Sequence, residues 1–199
     1  MRKKSHISLS GYLVREMKLE ELALHKKAFY LGAVLPDLNP NMVRNPHEIS
    51  VAFEKLGEDV RSAVEKGRKG NYNARVLWRK IGMIIHYIAD FFTFPHNSSY
   101  DGNLKDHCLY ERDLKYLIRE YVRSQEAKAQ FVFQWRQAEK IETPQELMSY
   151  IAKSHLEYMG TSHTLKGDCQ WIVRVCSAAL ISIAGMIEGD KGAALYQFT

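Results

Sequence analysis

An all-α protein is what this sequence predicts. Apolar residues recur at helical spacing through nearly every segment, helix start and stop signals bracket those segments, and no alternating strand pattern stands out. Ser5 reads as the N-cap of a first helix from His6 to about Lys18, which sets Leu9, Leu13 and Met17 on one face. A second helix is expected from Leu19 to Leu31, stopped by Gly32 and by Pro36 in GAVLPDLNPN. Pro46 suits the first turn of a third, which runs through Val51, Leu56, Val60 and Val64 to Gly67. Asn73 then starts a central helix. Its Val76, Leu77, Ile81, Ile84, Ile85, Ile88 and Phe92 form a broad apolar face, the mark of a helix buried on most sides.

After the NSSYDGN loop a helix is expected from about Leu104 to Ser124, with a further one through Phe131 and Trp135. Thr143, Pro144, Gln145 and Glu146 form a capping box with proline in the first turn, opening a helix toward Tyr158. Asp168 is read as the cap of a last long helix from Trp171 to about Glu188. No repeat, low-complexity tract or linker divides the chain, so residues 1–199 are expected to form one domain.

Composition narrows the choice of function. A chain of 199 residues can bury a full core without staples, and its 46% hydrophobic and 26% charged shares are ordinary for a soluble globular protein. No apolar run approaches the ~20 residues that cross a bilayer, so no transmembrane segment is expected. The start MRKKSHISLSGYLV is basic, but Ser5, His6, Ser8 and Ser10 interrupt the apolar stretch a signal peptide needs. The chain is therefore expected to begin near Met1 and to be cytoplasmic. Three cysteines argue against a disulfide framework. On one helix Cys169 and Cys176 lie ~10.5 Å apart along the axis, too far to bridge. The net charge of +5 fits a solvated surface, and no stable nucleic-acid complex is expected.

The most informative stretch is IGMIIHYIADFFTFPHNSSYDGNLKDHCLYE, Ile81 to Glu111. His86 and Asp90 are four residues apart in an apolar run, His96 follows Pro95, and His107 and Glu111 repeat the four-residue spacing. On a helix such pairs lie one above the other, so each can aim an imidazole and a carboxylate at one point. An acid among Ile, Tyr and Phe is costly to bury unless its charge is matched, and a divalent cation would match it. His6 at the start of the first helix, Asp37 in the LPDLNP turn and His47 in NPHE add to the set. Five imidazoles, three carboxylates and no thiolate suit zinc better than manganese or iron. A lone HxxxD is a weak sign of metal, and His6, Asp37 or His47 alone would pass as a capping or turn residue. Their order in the chain is the stronger signal.

That order resembles the zinc-dependent phospholipase C family, related in fold and metal site to S1/P1-type nucleases. The matching elements are His6, GAVLPD (Gly32 to Asp37), NPH (Asn45 to His47), HYIAD (His86 to Asp90), PH (Pro95 and His96) and HCLYE (His107 to Glu111). The resemblance covers roughly the first 115 residues and implies a multi-helix bundle with two or three zinc ions between its helices. It implies that His96, His107 and Glu111 hold one zinc. Asp37, His47 and His86 hold a second, and Asp90 bridges it to a third that also takes His6. In the family this third ion uses the amine and carbonyl of an N-terminal tryptophan, where this chain has Met1, five residues before His6. The implied activity is hydrolysis of a phosphoric ester by a zinc-bound hydroxide, with Asp37 as candidate general base. The implied substrate is a small phosphoester or a phospholipid headgroup. A nuclease or phosphomonoesterase on the same metals is the alternative enzyme, and a helical protein that keeps a metal for structure alone is the alternative outside enzymes.

Overall fold

A computed structural model describes residues 1–38, 48–70, 72–138 and 140–189, and the account below concerns those residues. They are helical almost throughout, with no strand among them, as the sequence predicts. Helix α1 spans Lys3–Met17 and buries Leu9, Leu13 and Met17. It starts at Arg2 and not at Ser5. Ser5 lies inside the first turn, and its buried hydroxyl makes no hydrogen bond. The early start places His6 within the helix, on its inward face.

The expected second helix is broken in two. Helices α2 (Glu20–Leu24) and α3 (Lys26–Val34) meet at His25, which leaves helical geometry. Helix α3 then runs through Gly32, which serves as a contact and not as a stop. A Cβ on Gly32 would strike the backbone of Arg79, and one on Gly82 would strike the Phe29 carbonyl. Two glycines facing each other thus bring two helix backbones closer than any side chain permits. Helix α4 covers Ile49–Arg68, burying Leu56, Val60 and Val64. The expected start at Pro46 lies outside the described residues.

Helix α5 spans Ala74–Phe91, and Asn73 caps it by accepting a hydrogen bond from the Val76 N–H at 3.3 Å. The predicted broad face is buried except for Val76, which is exposed. A short 3-10 turn, Phe94–His96, leads on to α6 (Leu104–Tyr121), capped by Asn103 and ending before the expected Ser124. Helix α7 spans Gln125–Ala138. Helix α8 spans Pro144–Met159 and has both halves of the predicted capping box. Thr143 Oγ1 accepts from the Glu146 N–H at 3.2 Å, and Glu146 Oε2 accepts from the Thr143 N–H at 3.0 Å. Helix α9 runs Leu165–Glu188 and begins well before Trp171, because Thr164 and not Asp168 caps it.

Helices α5 and α9 form the centre. Helix α5 packs on α3, α4 and α9, while α9 also packs on α4, α6 and α7. Contrary to expectation, α9 is by length and composition apolar enough to cross a membrane, with a mean hydropathy of 1.6. Ser177 and Ser182 interrupt its apolar run and hide this from a residue-by-residue reading. Of its most apolar stretch, 72% is buried inside the bundle, which is how a core helix satisfies the same composition.

The facing glycines give a first prediction. Gly82→Ala must push α3 away from α5, and overpacking of this kind costs roughly 1–3 kcal/mol. A urea midpoint lowered accordingly is expected, whereas an unchanged midpoint would show that the two backbones separate freely.

Candidate metal centre

The long buried helix α5 carries two polar residues on its inner face near its C-terminal end. His86 and Asp90 are both fully buried, and the four-residue spacing sets His86 Nε2 3.3 Å from Asp90 Oδ2. Helix α3, held close by the glycine contact, places the Ala33 carbonyl 2.9 Å from His86 Nδ1. A carbonyl only accepts, so Nδ1 carries the proton and the Nε2 lone pair faces inward. That lone pair points at Asp90 Oδ2 and at Asp37 Oδ1, 3.9 Å away. Burial holds the His86 imidazole down to about 3, and His6 beside it adds to the effect, so the ring is neutral at physiological pH.

Helix α1 brings in His6, whose ring stacks on that of His86 with centroids 4.0 Å apart. His6 Nε2 lies 3.3 Å from Asp90 Oδ1. Burial lowers the pKa of His6 as well, against the pull of Asp90. The α-amine of Met1 enters the same cluster, 2.6 Å from Asp90 Oδ1, 3.0 Å from His96 Nε2 and 3.3 Å from Glu111 Oε1.

The 3-10 turn and α6 supply a second group. His96 Nε2 and His107 Nε2 lie 3.2 and 3.4 Å from the same oxygen, Glu111 Oε1. His96 Nδ1 also reaches within 3.6 Å of Asp90 Oδ2, so one imidazole links the two groups. Ligand atoms of His6, His86 and Asp90 lie within 4.8 Å of one another, and those of His96, His107 and Glu111 do the same. Asp37 stands at the edge of the first group, and His47 lies outside the described residues.

The electrostatics fit a bound cation. Burial works to raise the Asp90 carboxyl, but the Met1 ammonium and the surrounding imidazoles hold it well below the usual carboxylate range. Burial also opposes the ionised form of Glu111, yet the His96 hydrogen bond and the Met1 ammonium bring it down to about 2. Ionised carboxylates and neutral imidazoles are the protonation states that metal ligands need. Three imidazoles converge on Asp90: His6 on Oδ1, and His86 and His96 on Oδ2. The Met1 ammonium is itself drawn into the cluster by Asp90 and Glu111, against the penalty of burial. The residues present therefore fit zinc, with nitrogen and oxygen donors and no thiolate.

The fold is an all-α bundle whose described residues include two imidazole–carboxylate clusters that could each hold a metal ion. Residues 5–165 match the family described as zinc-dependent phospholipase C, well over half of the chain, and the protein belongs to that family. No curated protein and no solved structure matches the chain.

Several contributors to the centre escape a reading of the sequence. The Ala33 carbonyl is a backbone group and has no residue-type signature. The place of Met1 beside Asp90 depends on the turn that leads into α1. Asn97, His155 and Asp168, which support the turn around His96, are single polar residues far apart in the chain, with no spacing to join them.

The shifted groups make the metal-free protein acid-sensitive. His86 and His6 stay neutral when folded but take up a proton when unfolded below about pH 6.5, so stability falls as the pH drops from there. Each such histidine shifts the folding equilibrium by a factor of about ten per pH unit. The depressed Glu111 adds a further loss between about pH 4.5 and 2. Urea midpoints of the metal-free protein should fall steadily from pH 7 to pH 5, and His86→Asn should flatten the profile. A level profile in the unaltered protein would contradict the buried neutral imidazoles.

Proposed function

We propose that this protein hydrolyses a phosphodiester, either of a phospholipid headgroup or of a related small phosphoester, using zinc ions held by His6, Asp37, His47, His86, Asp90, His96, His107 and Glu111. The observation that carries this reading is the position of Asp90. Its Oδ1 faces His6 and its Oδ2 faces His86 and His96, so one buried carboxylate can serve metals on two sides. Bound zinc supplies Lewis acidity and lowers the pKa of a coordinated water toward ~7.

The chain's own residues provide the rest. Helix α5 and the Ala33 carbonyl fix the orientation and tautomer of His86, which keeps its donor lone pair directed inward. The Met1 ammonium lies beside His6 and Asp90, 2.6 Å from Asp90 Oδ1, and would have to give up a proton before it could join the ligands. Asp37 is 19% exposed at the rim, where a carboxylate can take a proton from an incoming water and hand it to solvent. The side chains of His96, His107 and Glu111 keep 14%, 29% and 16% exposure. A group reachable by solvent favours catalysis over a purely structural metal, which is held in closed coordination. The cytoplasmic location expected from the sequence belongs to this proposal.

Elemental analysis of the purified protein should give two or three zinc ions per chain. The zinc-loaded protein should turn over bis-p-nitrophenyl phosphate or p-nitrophenylphosphorylcholine. Activity on single-stranded DNA or a monoester instead would favour a nuclease or phosphomonoesterase on the same core, and no turnover with metal loaded would overturn the hydrolase. Asp90→Asn should lower turnover at least ~100-fold while circular dichroism shows the helical content kept, since a bridging ligand is lost and the helices are not.

A further inference from the structure

The turn that carries His96 is gripped from several directions by residues that have no place among the ligands. Asp168, fully buried on α9, accepts the Phe94 N–H on Oδ2 at 2.9 Å and the Tyr110 hydroxyl on the same oxygen at 3.0 Å. Its Oδ1 accepts the Tyr158 hydroxyl at 2.8 Å. On the other side of the turn, Asn97 Nδ2 donates to the Phe91 and Thr93 carbonyls at 3.2 and 3.1 Å. Asn97 Oδ1 lies 2.8 Å from His155 Nε2 of α8. The His163 ring, between α8 and α9, stacks on Phe94 with centroids 4.0 Å apart.

A buried carboxylate is a costly way to join helices, because well-packed apolar residues of similar volume hold them at least as well. Asp168 spends its three bonds on the backbone two residues before His96, on the residue before Glu111, and on α8. Burial pushes its carboxyl up to about 6, and the three donors work against that rise. The family match ends at residue 165, so Asp168 lies beyond the segment that defines the family.

We propose that Asp168 is a positioning residue for the metal centre: by anchoring the Phe94 N–H and Tyr110 it sets His96 and Glu111 at their mutual distance, and α8 and α9 thereby take part in metal binding. The inference rests on the zinc-centre reading above. It assigns a task to the last third of the chain, where none of the described residues is among the ligands.

The test is zinc affinity by chelator competition, together with the visible spectrum of the cobalt-substituted protein. Asp168→Ala removes all three acceptor positions and should weaken zinc by ~10–100-fold, the range found when an outer partner of a metal ligand is lost, and should alter the cobalt bands. Asp168→Asn keeps one oxygen for the Phe94 N–H and should recover most of that loss. In a His96→Ala background the Asp168→Ala effect should shrink, because the part carried by the Phe94 N–H acts through His96, while the part carried by Tyr110 persists through Glu111. An unchanged affinity and spectrum in Asp168→Ala, or a loss undiminished in the His96→Ala background, overturns the proposal. Should Asp168→Ala fail to fold, Asn97→Ala frees the same turn without touching a charge, and wild-type affinity in that variant overturns it equally. Absence of zinc from the unaltered protein would instead overturn the metal-centre reading itself.

Discussion

The structure is organised around the cost of burying one carboxylate. Asp90 sits fully inside an aliphatic bundle, where an unmatched charge is prohibitive. Three elements bring it a nitrogen: α1 brings His6, α5 brings His86, and the turn after α5 brings His96. The Met1 amine completes the ring. Such a collection does not assemble for packing, since Leu or Met would fill the same space at no electrostatic cost. A cation-binding centre is the arrangement that makes all these nitrogens useful together.

Much of this was legible in the residues. The helical period of α5 and its polar pair at Ile85-His86 and Ala89-Asp90 is written in the chain, because a four-residue spacing fixes a shared face wherever a helix forms. The capping box at Thr143 was equally plain, since it needs only its four residues. Other features depend on tertiary partners and left little trace. Gly32 looks like a helix stop, and it is read otherwise only once Arg79 is known to lie against it. Asp168 resembles a cap because an acid near a helix start normally is one. Thr164 takes that role, and the acid is drawn inward by two tyrosines and a backbone N–H from other elements. The apolar nature of α9 was diluted by its serines, although its burial shows it to be the second pillar of the core. The family resemblance implies that His47 is a ligand, and it lies outside the described residues.

The two groups of ligands differ in surroundings. His6, His86 and Asp90 are sealed in the bundle, whereas His96, His107 and Glu111 stand nearer the surface. Solvent reaches the second group, whose side chains keep 14–29% exposure. His96 faces both, through its two ring nitrogens, so the geometry of its short turn governs how the halves communicate. Helices α8 and α9 reach that turn through Asp168 and His155.

The bond between His86 and Ala33 has a consequence of another kind. Ala33 is the penultimate residue of α3, so its oxygen lies at the negative pole of that helix, among the carbonyls a helix end leaves over. Electron density is pressed onto the imidazole through Nδ1, and the ring becomes a stronger donor at Nε2. Because the acceptor is main chain, side-chain drift at position 33 leaves this control untouched. The end of α3 therefore sets this bond, and the length of that helix bears on how His86 is held.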